Sequence, residues 1–480
     1  MSTAAKTIAA HGLARRALSL GAVKAFDQAM QFLLPIVLVR CLDAHTFGEY
    51  RLLWLAVGTV MALSTLNMCG VLFYFLPRAD ARKRRLYVHQ TLLYLLASGL
   101  VCAWAVSGWN PLLPAAARPL AAYGALVPAF VGLWVFACLL DYLPTIDERV
   151  GWQAAATLCV SGLRVALLAA GAWLTSDLRV MLWLLLAVVA AKLALLAYYV
   201  HRHHGLGRPW FERASFAEQF RHAAPLGASA ALYSLRGQSD QWVAASLFAL
   251  SSFAAFSVAA IVGQVVHLFR HSVMEAFLPS MSRMHAAGDT RGTLEMNSRA
   301  NVIVGTLLFP LLAIAFVFAD EIISLVYTRA YAAAAPVMRV YVVAMICMVI
   351  EMGSMVLLLR QGPFSLGVSA FILPLSIAVS WGGAHAFGLP GAAVGSVLAI
   401  YLDRALMLRQ VSRHTGISVA RLQDWRSLGR ALLAAAGCGG FAWWAVGAFL
   451  TDAGPLVRLV AGTALVLGAY LLVHPIKARA

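Results

Sequence analysis

Residues 17–39 read ALSLGAVKAFDQAMQFLLPIVLV, an apolar stretch interrupted by Lys24, Asp27, Gln28 and Gln31. A helix that crosses a bilayer takes roughly 20 apolar residues, so the stretch is long enough for one crossing. The four polar residues stand at positions i, i+3, i+4 and i+7 and therefore share one face of that helix. Because polar groups in hydrocarbon must face protein or water, the stretch predicts a helix that borders a polar path.

Thirteen similar stretches follow, and together they predict an all-α integral membrane protein with about 14 transmembrane helices. The predicted spans are 17–39, 50–76, 86–107, 119–141, 151–173, 178–200, 222–247, 252–277, 299–318, 333–358, 364–384, 389–409, 430–449 and 455–474. Hydrophobic residues make up 62% of the chain and charged residues 12%, which excludes a soluble enzyme and a disordered protein.

A basic loop at residues 201–221 separates two groups of six spans. It predicts a first six-helix lobe at residues 1–205 and a second at residues 206–412. A loop and two additional helices then occupy residues 413–480.

The distribution of Lys and Arg over the connections predicts the orientation in the membrane. Alternate connections carry 24 of these residues on one side and 5 on the other. Basic loops stay in the cytoplasm, so both termini are expected there, in a multi-pass protein of the bacterial inner membrane. The net charge of +17 is then explained by a cytoplasmic rim that faces anionic lipid, and no nucleic-acid partner is predicted.

Four short motifs occur in order along these spans. They are Leu42–Tyr50 (LDAHTFGEY), Gly70–Arg78 (GVLFYFLPR), Asp240–Trp242 followed by Phe256–Ala259, and Gly388–Gly395 (GLPGAAVG). Each resembles a landmark of polysaccharide flippases in the multidrug/oligosaccharidyl-lipid/polysaccharide exporter superfamily. One departure is Ala255-Phe256, which stands where that family usually has Gly-x-Tyr.

The resemblance implies a V-shaped fold of two pseudo-symmetric six-helix lobes plus two C-terminal helices. It also implies alternating access that moves a polyprenyl-diphosphate-linked oligosaccharide from the inner to the outer leaflet. The product would be a cell-surface polysaccharide such as O-antigen, capsule or exopolysaccharide.

Charged and polar residues inside the predicted spans are the candidate site residues. Arginine suits a diphosphate because its planar fork donates paired hydrogen bonds and stays protonated. The candidates for the substrate cavity are Lys24, Gln28, Gln31, Arg164, Arg236, His267 and Arg270. The candidates for ion coupling or ion pairing are Asp27, Asp240, Glu275 and Glu351. In the fold that the resemblance implies, the cations of helices 1, 7 and 8 would converge between the lobes.

Structural alternatives remain open for several of these residues. Lys24 and Asp27 could form a packing pair, Asp240 could neutralise Arg236, and His267 could be a packing histidine. Three other cations, Lys192, Arg339 and Arg404, lie near span ends and are expected to extend to the membrane interface.

No enzyme is predicted, because the external connections are too short for a catalytic domain of a polymerase or ligase. A cation-coupled multidrug or metabolite antiporter that uses Asp27 is the main alternative, and a scaffold of a polysaccharide assembly complex is another. The seven scattered cysteines indicate no metal site, and no cofactor is predicted. Without an ATP-binding loop of the GxxxxGKS type, the expected energy source is an H⁺ or Na⁺ gradient or removal of the substrate. The expected partners are the lipid-linked oligosaccharide, membrane lipids and other polysaccharide assembly proteins.

Overall fold

The computed structural model describes residues 21, 23 and 25–474, apart from the side chains of residues 261, 264 and 265. Over these residues the backbone is almost entirely helical and contains no β-strand. Helices satisfy their backbone hydrogen bonds within one segment, which an apolar solvent requires. The chain divides into two compact units, Met1–Leu235 and Arg236–Ala480.

Within its described residues, the first unit contains ten helices, the last of which continues into the second unit. They are α1 (25–41), α2 (Ala44–Ser64), α3 (Leu72–Phe75), α4 (Ala81–Ala105), α5 (Arg118–Ala121), α6 (Leu126–Ala137), α7 (Leu143–Ile146), α8 (Val150–Thr175), α9 (Leu178–His203) and α10 (Arg213–Leu247). Short 3-10 turns occupy Leu76–Arg78, Ala115–Ala117 and Cys138–Asp141.

The second unit contains the remaining helices of the described chain. They are α11 (Leu250–Ala259), α12 (Ile261–Ala286), α13 (Thr290–Val317), α14 (Ala319–Val326), α15 (Ala334–Met348), α16 (Gly353–Leu358), α17 (Gly362–Phe387), α18 (Leu389–Ala392), α19 (Val394–Thr415), α20 (Val419–Leu422), α21 (Trp425–Phe449) and α22 (Pro455–Val473). A 3-10 turn at Arg329–Tyr331 precedes α15.

Every predicted span overlaps one or more of these helices. Within the described ranges, nine helical segments are long and apolar enough to cross a membrane, and α11 and α15 are shorter apolar helices. The all-α membrane architecture is therefore confirmed. The number of 14 spans, the V shape and the division at residues 205 and 412 stay predictions.

Aspartates mark the beginnings of several long helices. Each accepts backbone N–H groups of the first helical turn, which would otherwise have no partner within the helix. The capping residues are Asp43 for α2, Asp80 for α4, Asp177 for α9, Asp289 for α13 and Asp424 for α21. Five of the 20 acidic residues of the chain thus fix helix ends.

A buried polar cluster joins the end of α9 to α4. Asp147 accepts hydrogen bonds from Arg84 Nη2 at 2.8 Å, Tyr199 Oη at 2.8 Å and His204 Nε2 at 2.7 Å. The side chains of Asp147 and His204 are 6% and 5% exposed. Asp147 thus provides a buried partner for His204, the last residue of the stretch His201-Arg202-His203-His204.

The second and tenth predicted spans, 50–76 and 333–358, are interrupted near their middles. In the second span, α2 ends at Ser64 and α3 begins at Leu72, with Leu66 and Asn67 at φ of 40° and 60° between them. In the tenth span, α15 ends at Met348 and α16 begins at Gly353. Non-helical backbone inside a membrane is tolerated where it is buried in protein or lines a cavity.

A buried asparagine replaces the missing helical hydrogen bonds of the tenth span. Asn301 Oδ1 accepts the N–H of Glu351 at 3.0 Å, and Asn301 Nδ2 donates to the carbonyl of Glu351 at 3.3 Å. Asn297 and Gln423 complete the network through hydrogen bonds of 3.0 to 3.3 Å. These buried side chains therefore stabilise the interrupted conformation of the backbone.

The last two helices pack onto the rest of the second unit. Residues of α21 and α22 share a hydrophobic core with α12, α13 and α15. A Cβ atom on Gly462 would lie 2.1 Å from the ring of Phe318, so only glycine permits this approach of α22. Arg458 of α22 also pairs with Glu321 of α14 at 3.2 Å.

Candidate functional site

Several charged side chains of the first unit gather around one polar cavity. The cavity encloses about 170 Å³ and is bordered by residues of α1, α6, α8 and α9 and by the turn at Cys138–Asp141. Its polar lining residues are Asp27, Gln31, Asp141, Gln153, Thr157, Ser161, Arg164 and Lys192. We call it the charged cavity.

Arg164 of α8 is the least firmly paired cation of the charged cavity. Its side chain is 12% exposed, and its Nη2 atom lies 4.0 Å from Asp27 Oδ1. The guanidinium carbon lies 5.6 Å from the centre of the Trp54 ring. Its Nε has no hydrogen-bond partner among the described residues. A largely enclosed guanidinium with an unused Nε donor is suited to receive an anion.

Asp27 and Gln31 of the first predicted span both line this cavity. Gln31 Nε2 donates to Asp27 Oδ2 at 2.8 Å, and the Ser161 hydroxyl donates to Asp27 Oδ1. Gln28 is half-buried and does not line the cavity, and Lys24 lies outside the described residues. Asp27, Gln31 and Arg164 are thus brought together from helices far apart in the sequence.

The second cation of the cavity is Lys192 of α9. Its Nζ donates to Asp141 Oδ2 at 2.7 Å and lies 4.7 Å from the centre of the Trp134 ring. The side chain is 5% exposed, so the expectation that Lys192 extends to the membrane interface was wrong. Sequence reasoning did not single out Asp141, although a carboxylate at the last position of the predicted span 119–141 was a usable signal.

The two cations differ in how tightly the protein holds them. Lys192 has a carboxylate at 2.7 Å, whereas the nearest carboxylate oxygen to Arg164 is at 4.0 Å and already accepts from Ser161. Burying a charge is costly unless it is paired and hydrogen-bonded. An incoming anion could therefore bind Arg164 without separating a close ion pair.

In the second unit, Arg236 of α10 forms an ion pair with Asp403 of α19. Arg236 Nη1 donates to Asp403 Oδ1 at 2.6 Å, and Arg404 Nη1 lies 3.4 Å from Asp403 Oδ2. The side chains of all three are between 9% and 12% exposed. Arg404 was expected to extend to the interface, and this was wrong because Asp403 holds it inside. Arg339 is 34% exposed and pairs with Asp320 at 2.6 Å.

The other candidates of the second unit fall into separate environments. Arg270 is buried, and its Nη2 lies 2.9 Å from Nδ1 of the exposed His267 one helical turn earlier. Glu275 is exposed and lies 3.5 Å from His271. The convergence of Lys24, Arg236 and Arg270 on one chamber stays a prediction.

The two remaining acidic candidates are enclosed by hydrogen bonds. Asp240 is 1% exposed, and its Oδ2 accepts from Tyr341 Oη and Ser396 Oγ, both at 2.6 Å. The Glu351 carboxylate accepts the backbone N–H of Ser354 at 3.2 and 3.3 Å, as an N-terminal cap of α16 does. Within the described residues, no three His, Cys, Asp or Glu side chains come together as a metal site requires.

A multi-pass helical protein whose buried ion pairs line an internal polar cavity belongs to the class of membrane transporters. Two family models make this specific. The model described as "Polysaccharide biosynthesis protein" matches residues 13–285, and that described as "Lipid II flippase MurJ" matches residues 153–461. The chain belongs to the polysaccharide flippase family of the multidrug/oligosaccharidyl-lipid/polysaccharide exporter superfamily, as its four motifs predicted.

Solved structures share this fold at low sequence identity. A lipid II flippase MurJ in an inward closed conformation matches with a TM-score of 0.63 and 11% identity, over 93% of this chain and 98% of that one. An inward-facing multidrug resistance MATE family transporter also matches with a TM-score of 0.63 and 14% identity, over 82% of this chain and 96% of that one. A transporter of the same superfamily from Pyrococcus furiosus, described as having a binding pocket of reverse polarity, matches with a TM-score of 0.53 and 12% identity. This match covers 84% of this chain and 96% of that one. No curated protein sequence matches the chain.

Proposed function

We propose that this protein is a flippase that moves a polyprenyl-diphosphate-linked oligosaccharide to the outer leaflet during assembly of a cell-surface polysaccharide. Membership of a transporter family supports movement of a substrate rather than its chemical conversion. The observation that carries the choice of substrate is Arg164, a buried and loosely paired arginine at an internal cavity.

A diphosphate is the chemical group that Arg164 suits best. Its guanidinium can donate two parallel hydrogen bonds to phosphate oxygens, and such charge-assisted bonds are the strong ones. Lys192 on another wall of the cavity is neutralised by Asp141 at 2.7 Å, so recognition of the anion depends on Arg164. In contrast, the long isoprenoid tail gains nothing by leaving the bilayer, so recognition of the lipid falls on its head group.

The test is a complementation experiment with variants of Arg164. Arg164→Ala should reduce export of surface polysaccharide by roughly 10- to 100-fold, since a hydrogen-bonded charge contributes about 1.5–3 kcal/mol. Arg164→Lys should keep part of the activity, because it retains the charge and loses the fork. Protein level and membrane insertion are measured for each variant by immunoblotting of membrane fractions.

Arg291 provides the matched control for this experiment. It is an arginine on α13 whose side chain is 84% exposed and which pairs with Glu295 at the surface. Arg291→Ala should export polysaccharide as the unchanged protein does. Normal export by Arg164→Ala at normal protein level would refute the phosphate-binding role of Arg164.

A cation-coupled antiporter is the second candidate, and Asp27 is the observation that favours it. Asp27 faces the charged cavity, and the fold resembles the MATE family transporter as closely as it resembles MurJ. Under this alternative, cells that lack the protein would become more sensitive to a drug and would still make surface polysaccharide. Asp27→Asn would abolish drug efflux.

The energy source and orientation complete the proposal. An H⁺ or Na⁺ gradient, or removal of the flipped substrate, would drive transport in the bacterial inner membrane with both termini in the cytoplasm. The strong bias of Lys and Arg towards one set of connections supports this orientation. Reporter fusions at each terminus test it, and an external C-terminal reporter would contradict it.

A further inference from the structure

A second cavity in the first unit has a different chemical character. It encloses about 340 Å³, at the lower end of the sizes typical of small-molecule sites. Its lining residues are Gly58, Met61, Ala62, Thr65, Asn67, Cys69, Gly70, Cys138, Tyr142, Gly227, Ala230 and Ser234. None of these is acidic, basic or a histidine. We call it the neutral cavity.

The interruption of the second span forms one wall of the neutral cavity. Thr65, Asn67, Cys69 and Gly70 all lie between the end of α2 and the start of α3. The positive φ values at Leu66 and Asn67 cost of order 1–3 kcal/mol each, and such strain persists mainly at functional sites. The carbonyls of Thr65, Asn67, Cys69 and Gly70 accept hydrogen bonds from N–H groups three or four residues later, so short turns hold this segment in its unwound form.

A glycine of α10 holds this interruption in place. A Cβ atom on Gly227 would lie 2.2 Å from the carbonyl carbon of Leu66 and 2.4 Å from its oxygen. Only glycine therefore lets α10 approach the unwound backbone so closely. Ala230 and Ser234, one and two turns further along α10, extend the same wall of the cavity.

One turn of the chain separates the neutral cavity from the charged cavity. The 3-10 turn at Cys138–Asp141 and the residue after it contribute to both. Cys138 and Tyr142 line the neutral cavity, whereas Leu140 and Asp141 line the charged one. A molecule with a charged group next to an uncharged polar group could place each in the cavity that matches it.

The polar groups of the neutral cavity suit the hydroxyl groups of a sugar. The Tyr142 and Ser234 hydroxyls and the Asn67 amide can each both donate and accept hydrogen bonds. The Thr65 hydroxyl donates to the Met61 carbonyl at 2.9 Å and can still accept a hydrogen bond. Tyr142 is 40% exposed, so its ring is available for contact with the apolar face of a sugar ring. A carboxylate would find no cation in this cavity, and burying an unpaired charge is costly.

We propose that the neutral cavity binds the saccharide part of the lipid-linked substrate and selects uncharged sugars over uronic acids. This inference rests on the proposed function, because the diphosphate that precedes the sugar is assigned to the charged cavity. The lipid-proximal sugar is the one that the shared turn brings next to the diphosphate.

The test measures binding to the full-length purified protein in nanodiscs with three probes. They are undecaprenyl diphosphate, the same lipid carrying N-acetylglucosamine, and the same lipid carrying glucuronic acid. The N-acetylglucosamine lipid should bind at least 10-fold more tightly than the bare lipid. The glucuronic acid lipid should bind no more tightly than the bare lipid.

Two conservative variants and one control locate the effect. Tyr142→Phe removes only a hydroxyl, and Ala230→Leu adds bulk to the cavity wall. Both should reduce the gain from N-acetylglucosamine by at least threefold and leave the affinity for the bare lipid unchanged. Ala97→Leu makes the same alanine-to-leucine change at an exposed position of α4 outside both cavities and should keep the full gain.

The outcomes separate this inference from the proposed function. If the bare lipid binds and neither sugar adds affinity, the saccharide site is refuted and the diphosphate site stands. An equal gain from glucuronic acid would refute the selection against charge. A gain that survives Ala230→Leu and Tyr142→Phe would place the sugar elsewhere. If the bare lipid fails to bind, the proposed function fails as well.

Discussion

The ion pair between Lys192 and Asp141 predicts an unequal response to the loss of either partner. The Lys192 side chain is 5% exposed and that of Asp141 is 53% exposed, with 2.7 Å between the charged atoms. Asp141→Asn leaves a buried ammonium without a counter-charge, which costs about 3–5 kcal/mol. Lys192→Met leaves a carboxylate that already contacts the cavity and can be hydrated there, so its cost should be about 1 kcal/mol.

Thermal unfolding of the purified variants in detergent measures this difference. The order of midpoint temperatures should be unchanged protein first, then Lys192→Met, and then Asp141→Asn well below both. The double variant Asp141→Asn/Lys192→Met should recover most of the loss of Asp141→Asn, because no unpaired charge remains. This recovery is the coupling that a double-mutant cycle isolates.

An exposed ion pair serves as the control for the cycle. Arg291 and Glu295 are 84% and 69% exposed and lie 3.1 Å apart, so each single change and their double should alter stability by about 0.5 kcal/mol or less. Equal destabilisation by Asp141→Asn and Lys192→Met, or a double variant less stable than Asp141→Asn, would refute the reasoning from burial.

Two further predictions concern the packing of the first unit. Burial raises the pKa of Asp147, but the hydrogen bonds from His204 and Tyr199 and the charge of Arg84 outweigh it and lower the pKa below its ordinary value. The carboxylate therefore stabilises the fold above about pH 4, and the stability difference between the unchanged protein and Asp147→Asn should shrink as the pH falls below that, measured by thermal unfolding. The second change, Gly99→Val, should abolish stable insertion, because a Cβ atom on Gly99 would lie 2.6 Å from the carbonyl oxygen of Gly132 on α6. The control Gly162→Val should be tolerated, because a Cβ atom on Gly162 has open space around it. A normally inserted Gly99→Val protein would contradict this prediction.

Much of the fold could be predicted from the sequence, because hydropathy and length determine where helices cross a membrane. The interior interruptions could not be predicted in this way. Asn67 and Gly70 are the only local signals of the break between Ser64 and Leu72, and the unwound backbone is accommodated by Gly227 of a distant helix. The tenth span is interrupted because Asn301 supplies replacement hydrogen bonds, which again is a tertiary effect.

The candidate site was only partly predictable for the same reason. The polar face of the first span drew attention to Asp27 and Gln31, and a mid-span position drew attention to Arg164; all three line the charged cavity. The position of Lys192 near a span end suggested an interfacial side chain, but the partner that keeps it inside is 51 residues earlier. Arg236 likewise pairs with Asp403, 167 residues later, and no local spacing predicts such a partner.

The most direct measurement of the proposed function is a mass spectrum of the lipid-linked saccharides in cells that lack this protein. Flippase activity predicts that a polyprenyl diphosphate carrying a complete oligosaccharide accumulates, and that the unchanged gene, but not Arg164→Ala, removes it. Normal levels of lipid-linked saccharide together with normal surface polysaccharide in those cells would contradict the proposal.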